Sequence, residues 1–256
     1  MEFSEQVLIL HVGRFKESDI WLKLLSPTQG IFTAFAFGGS RSRQRFIGCL
    51  DIFNTVLFHI KLSSRSGYYC VEEGVLMQGV SLLRRDWGRL GIAKNCCSFI
   101  QSFGVEAEGA DTAYALATET LHFLDTADAV HTLFPLFFRL RFASEQGYHI
   151  NVSGCHYCGT QHFPRGAQLF VKEGFLVCPS CSQRGSGVSV HLSRESIEAF
   201  NIVQHNPPIL WKRYDDDLQC YTDFSASVQR ECGQAIDKFI EYHVGLHWDN
   251  GRFKKV

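Results

Sequence analysis

The stretch Ile20-Trp-Leu-Lys-Leu-Leu-Ser-Pro-Thr-Gln-Gly-Ile-Phe-Thr-Ala-Phe-Ala-Phe37 holds two short apolar runs, Ile20–Leu25 and Ile31–Phe37, on either side of Ser26-Pro-Thr-Gln-Gly30. Runs of this length, rich in branched and aromatic residues and split by Ser, Pro and Gly, read as a β-hairpin. Working outward, Val7–Val12 precedes the hairpin, and Ile52–Ile60 and Tyr68–Met77 follow it, each bounded by polar or glycine-containing segments. Five short strands in the first ~80 residues suit a small closed barrel. The five-stranded oligonucleotide/oligosaccharide-binding (OB) barrel is the leading candidate, and an SH3-like barrel gives a similar pattern.

From Ser81 onward the apolar period becomes helical. Leu82, Leu83, Trp87, Leu90, Ile92 and Phe99 fit one or two helices, and Ala113–Leu124 and Val130–Gln146 are clearer amphipathic ones. Gly147 is a natural stop, Ser193 is a helix N-cap, Asn206-Pro-Pro208 breaks that helix, and Val228–Gly245 forms the last. Between them lies Cys155-x2-Cys158-x19-Cys178-x2-Cys181. That spacing is expected of a structural zinc site, whose four thiolates fill a tetrahedral shell and leave no position open for catalysis. Two disulfides or two redox pairs are the alternatives, and His156 or His162 replacing a cysteine is a minor one. The expected fold is therefore α+β and multidomain: an OB-type barrel over 1–79, a helical domain over 80–150 and 189–256, and a four-cysteine, zinc-ribbon-like insert over 151–188.

Hydrophobic residues make up 45% and charged residues 20% of the 256, which is a globular rather than a disordered balance. Twenty-two Phe against two Met point to cores packed with rigid rings. The start lacks a basic leader and no apolar run approaches the ~20 residues that span a bilayer, so a cytoplasmic, reducing location is expected. Cys49, Cys70, Cys96, Cys97, Cys220 and Cys232 then read as small buried hydrophobes. Net charge is −1, but it is unevenly spread. Residues 38–65 carry Arg41, Arg43, Arg45, Lys61 and Arg65 against Asp51 alone, whereas 95–138 carry six acids and no Lys or Arg. A neutral total can hide a basic face that steers a polyanion.

Taken in order, Gly13-Arg-Phe-Lys-Glu-Ser-Asp19, Gly30-Ile-Phe-Thr, Gly38-Gly-Ser-Arg-Ser-Arg-Gln-Arg45, Phe138-Arg-Leu-Arg-Phe-Ala-Ser-Glu-Gln-Gly-Tyr148, Cys155-His-Tyr-Cys-Gly159 and Glu241-Tyr-His-Val-Gly245 resemble the bacterial DNA repair protein family RecO over nearly the whole chain. The segment Phe46-Ile-Gly-Cys-Leu and the near-neutral charge depart from the more basic pattern. The resemblance implies a recombination mediator with no bond-making chemistry. Such proteins bind single- and double-stranded DNA and anneal complementary strands. With the partner RecR they help load the recombinase RecA onto DNA coated by single-stranded-DNA-binding protein. It implies a barrel associated with DNA and RecR, and a helical domain associated with the acidic tail of that coating protein.

On the residues themselves, Arg41, Arg43 and Arg45 alternate, so in an extended loop they would face one way and meet successive phosphates. Lys16, Lys61 and Arg65 are further DNA-binding candidates. Phe37, Phe46, Tyr68 and Tyr69 are candidates to stack on bases, although alternating Phe is more often barrel core. Arg84, Arg85 and Arg89, with Arg139 and Arg141, suit an acidic peptide that ends in a hydrophobic residue. Arg139 has the competing reading of a buried pair with an acid such as Glu145. His59, His122, His131, His149, His156, His162 and His191 are scattered, Glu72 and Glu73 point to opposite faces of a strand, and no phosphate-cradling glycine loop appears, so an enzyme is not expected. The rival reading is a zinc-stapled protein–protein adaptor with little DNA affinity.

Overall fold

The computed structural model describes residues 2–63, 67–211, 213–215 and 220–256, with backbone alone for 213–215 and 220–222. The chain divides into two compact units, Met1–Thr126 and Ala127–Val256.

In the first unit, strands β1 (Glu2–Phe15), β2 (Asp19–Ser26), β3 (Gly30–Ala36), β4 (Thr55–Leu62) and β5 (Tyr69–Gln78) close into a barrel in the order β1-β2-β3-β5-β4. The hairpin forms as the Ser-Pro-Thr-Gln-Gly turn predicts, with Ser26 facing Gly30 and Trp21 facing Phe35. β1 is long enough to serve two neighbours: its first half pairs with β4 and its second half with β2. A register shift between Ile9 and His11 lies where it passes from one to the other. A short parallel pairing of Ala34 with Tyr69 and Phe35 with Cys70 completes the OB-type closure. Val7, Ile9, Ile20, Leu22, Leu24, Val56, Phe58, Ile60 and Val71 fill the interior, and Phe46 and Cys49 join them from the β3–β4 connection.

Helices α1 (Trp87–Phe103) and α2 (Ala110–Thr126) pack on β1, β2 and β3 within the same unit. Asp86 caps α1 by accepting from the N–H groups of Gly88 and Arg89 at 2.9 and 3.1 Å. The helices meet the hairpin-turn end of the barrel, where the Ile31 N–H donates to the Val105 carbonyl at 2.8 Å. Gly30, at φ 71°, lies so close to that carbonyl that a side chain there would collide with it.

The second unit contains α3 (Phe134–Glu145), then β6 (Asn151–Cys155), β7 (Ala167–Phe170), β8 (Phe175–Val177) and β9 (Ser189–Leu192) in a sheet ordered β6-β8-β7-β9. After it come α4 (Arg194–His205), β10 (Arg213–Asp215), β11 (Cys220–Thr222), α5 (Ala226–Val244) and a final hairpin of β12 (Leu246–Asp249) and β13 (Arg252–Lys255). Ser193 caps α4 as predicted, accepting from the Ser196 N–H at 3.3 Å. Phe134, Phe137, Phe138, Phe142, Phe200, Trp211 and Phe239 are fully buried, which is the aromatic core that the phenylalanine count implied. Cys49, Cys96, Cys97 and Cys232 are buried, Cys70 is half-buried, and the side chain of Cys220 lies outside the described residues. Among the described residues no helix is long and apolar enough to cross a membrane.

Candidate metal centre and nucleic-acid interface

Cys155 closes β6 and Cys178 follows β8, strands that pair in parallel, so the two C-x-x-C turns are brought side by side. In the first turn the Gly159 N–H donates to the Cys155 carbonyl at 2.8 Å, with Gly159 at φ 72°. In the second, a 3₁₀ turn over Pro179–Arg184, the Cys181 N–H donates to the Cys178 carbonyl at 3.0 Å. All four sulfurs lie within 4.8 Å of one another, and Cys158 Sγ is 3.7 Å from Cys178 Sγ. Cys155, Cys178 and Cys181 are buried, and Cys158 is exposed. These four residues can hold a metal ion.

The donor chemistry fits a cation. Burial alone would raise the Cys155 thiol, but N–H donors of Cys178, Cys158 and Tyr157 and the Cys158 thiol bring it down to about 6. Burial, and then the neighbouring sulfurs, push Cys178 upward and Cys181 up to about 12. One thiolate thus forms readily and opposes the ionisation of the rest until positive charge is supplied. Neither histidine joins the cluster: His156 is exposed and stacks on Phe175 at 4.0 Å, and His162 is exposed.

The arginine segment is not an extended loop. Gly38, in a left-handed conformation at φ 65°, starts a 3₁₀ turn over Gly39–Arg41, and the Ser42 hydroxyl accepts from the Arg45 N–H at 3.1 Å. The three arginines consequently diverge. Arg41 is 72% exposed and among the described residues meets only Glu17, itself exposed, at 3.4 Å. Arg43 is exposed and makes no hydrogen bond or ion pair among the described residues. Arg45 folds back over the Phe46 ring, donating to the Phe37 carbonyl at 2.7 Å and the Glu72 carbonyl at 3.4 Å, so it staples the loop to β3 and β5.

Lys16 is exposed in the β1–β2 turn, 5.2 Å over the ring of Phe15. Lys61 lies on the outer side of β4 between Glu2 at 2.6 Å and Glu72 at 3.9 Å, so its charge is largely matched. Arg65 lies outside the described residues. Of the candidate stacking rings, Phe46 is core and Tyr69 is packed against the core with its hydroxyl on Gln29. Phe37 and Tyr68 are 47% and 55% exposed.

The comparisons with known proteins agree from end to end. The family model for recombination protein O, N terminal, matches residues 1–80, and the model for its C terminal matches residues 84–252. The chain belongs to the RecO family. It is 44% identical to the DNA repair protein RecO of Oleidesulfovibrio alaskensis over the full length of both chains. It is likewise 44% identical to that of Nitratidesulfovibrio vulgaris and 36% identical to that of Lawsonia intracellularis, each over the full length of both chains.

In this RecO-family chain, four of the five helical arginines, Arg84, Arg89, Arg139 and Arg141, are engaged by their own units. Arg84 and Arg85 lie on a short 3₁₀ turn ahead of α1 and not on the helix itself. Arg84 donates to the Ile52 carbonyl at 2.6 Å and pairs with Asp51 at 3.0 Å, whereas Arg85 is exposed beside exposed Leu82 and Trp87. Arg89 pairs with Asp86 at 3.2 Å and donates to the Leu124 carbonyl at 3.2 Å. Arg139 is buried and paired, and its partner is Asp237 of α5 at 3.0 Å, with Trp248 and Phe253 against its guanidinium. Glu145 instead pairs with Arg141 at 2.6 Å, while Arg141 also donates to the Gln204 and Asn206 carbonyls where α4 ends. Spacing explains the exchange, because residues four apart share a helix face and residues six apart do not.

Proposed function

We propose that this chain is a DNA-binding recombination mediator. In this reading it binds single- and double-stranded DNA and anneals complementary strands. With RecR it helps load RecA onto DNA coated by single-stranded-DNA-binding protein, and no step makes or breaks a covalent bond. The observation that carries the DNA part is the pair Arg41 and Arg43, held on a fixed turn of an OB-type barrel with their charges directed to solvent. Such guanidinium groups can displace counterions from phosphates at the cost of no internal pair for Arg43 and of one solvent-exposed pair, with Glu17, for Arg41. Lys16 adds a third exposed cation, Arg45 shapes the loop, and Lys61 and Arg65 are secondary members of the set. The direct test is binding of fluorescent oligonucleotides to the intact chain and to a variant with Arg41→Ala and Arg43→Ala. Weaker binding to all sequences supports the reading, and undiminished binding opposes it.

We propose zinc as the metal and a structural role for it. With ~2.3 Å bonds, a tetrahedral site of four thiolates has sulfur–sulfur edges of about 3.8 Å, close to the 3.7 Å between Cys158 and Cys178. Cys155, Cys158, Cys178 and Cys181 would tie β6 to the turn after β8, and a cytoplasmic setting would keep them reduced. For the acidic tail, Arg85 is the most available of the expected residues Arg84, Arg85, Arg139 and Arg141, because it is exposed and close in sequence to exposed Leu82 and Trp87, whereas the other three are bonded within their own units. A net charge of −1 favours the adaptor as the second reading, and the exposed Arg41 and Arg43 disfavour it. Partner binding without any DNA affinity at low salt would select it.

A further inference from the structure

We propose that the outer face of β1–β3, built around Phe15 and Phe35 and extended by Phe37 just after β3 and Tyr68 just before β5, is a stacking platform for unpaired bases and gives this chain a preference for single strands over duplex. The inference rests on the DNA-binding reading above and adds to it a strand preference and a set of residues.

Strand alternation directs one set of side chains inward and the other outward. Ile20, Leu22, Ala34 and Ala36 are buried, so Trp21 and Phe35 face out from the same two strands, and Phe37 follows the end of β3 with its ring exposed. Phe35 is the hub: its ring centre is 6.0 Å from Phe15, 6.1 Å from Phe37 in a nearly parallel arrangement, and 5.4 Å from Tyr68. Phe15, Phe37 and Tyr68 are 42%, 47% and 55% exposed, an unusual concentration of open aromatic surface for one end of a barrel. Alongside, Trp21 lies flat across the backbone of Gly13 and stacks on His11 at 4.8 Å. Any side chain at position 13 would collide with the indole, so glycine keeps this part of the face low.

Cations border the rings. Lys16 sits over Phe15, Arg14 is exposed directly after Gly13, where β1 is ending, and Arg41 and Arg43 project from the turn that follows Phe37. Of the nearby acids, Glu17 meets Arg41 and Asp19 is committed to the Gly38 N–H at 2.7 Å. A ligand that satisfies both features has repeated negative charge and planar π-faces. Single-stranded DNA offers both, whereas a duplex keeps its bases stacked on one another and presents only its backbone charge to such a face. The surface is an open row of rings, which suits stacking. A peptide side chain gains its specificity from a pocket.

The test uses the full chain and three fluorescent probes at one salt concentration: an oligothymidine, an abasic deoxyribose-phosphate oligomer of the same length, and a duplex. Phe37→Leu combined with Tyr68→Leu should weaken oligothymidine binding about tenfold and leave the other two unchanged, because a lost stack removes a base contact and no phosphate contact. Phe37→Trp, which keeps a ring, should retain oligothymidine binding. An equal loss on all three probes, or no loss on oligothymidine, overturns the platform while leaving the DNA-binding reading intact. Failure of the unaltered chain to bind any of the three at low salt removes the DNA-binding reading itself. In that case, binding of an acidic peptide that the leucine variant loses would assign the face to a protein partner.

Discussion

Replacing Arg41 and Arg43 together by Ala removes two exposed charges whose sole internal engagement among the described residues is the solvent-exposed Arg41–Glu17 pair. Each phosphate neutralised contributes about 0.7 to the slope of log affinity against log salt on a single strand and about 0.9 on a duplex. The variant's slope should therefore be shallower by about 1.4 on single strands and about 1.8 on duplex. Lowering salt about fourfold would then recover about 7-fold less affinity for the variant than for the unaltered chain on a single strand. Fluorescence anisotropy titrations at several salt concentrations, on oligonucleotides of unrelated sequence, read this directly. Arg45→Ala supplies the contrast. Its guanidinium holds the Phe37 and Glu72 carbonyls at the surface, so its loss should cost about 1 kcal/mol and lower the melting temperature by about 4 °C. Its salt slope should change little. An unchanged slope for the Arg41/Arg43 variant, or a loss limited to one sequence, would refute the phosphate assignment.

Cys155→Ser should release one bound zinc per chain and destabilise the second unit, measured by metal analysis and thermal unfolding; full metal content in the folded variant would contradict the ligand set. Arg139→Met should lower stability by about 2 kcal/mol in urea unfolding, since it removes the partner of Asp237 and the cation between Trp248 and Phe253. An unchanged midpoint with lost partner binding would instead return Arg139 to the partner surface. Burial would raise the Glu231 carboxyl, but the Ser196 hydroxyl and the Ser193 N–H, donating at 2.6 and 2.7 Å, hold it below the usual carboxylate range. A depressed folded value adds stability above the unfolded carboxylate range and loses it as pH falls through the folded value. Glu231→Gln should therefore flatten the acid limb of the stability–pH profile, and an unaltered limb would count against this linkage.

Much of the fold was legible because local signals and tertiary structure agree. Alternating apolar residues gave five strands, the cysteine spacing gave the cluster, and Ser193 marked the start of α4. The final hairpin was missed although Asn250-Gly251 announces it: both residues have positive φ, the requirement of a tight hairpin turn, and Trp248 packs on Phe253 across it at 4.6 Å. Other features depend on contacts that no local pattern encodes. Arg45 looks like its two neighbours in sequence, and only the closure of the barrel brings the Phe37 and Glu72 carbonyls within its reach. Likewise, Phe46 and Phe37 flank the same loop, yet one enters the core and the other joins an exposed row. The partners of Arg139 and Arg141 were partly readable from helix spacing, but the α5 carboxylate of Asp237 was not.

Annealing of complementary oligonucleotides by the intact chain, followed by fluorescence without nucleotide at several salt concentrations, tests the central claim most directly. Acceleration that needs no ATP and fades as salt rises is the predicted result. No acceleration, together with no DNA binding at low salt, would contradict the mediator account and leave a metal-stapled adaptor.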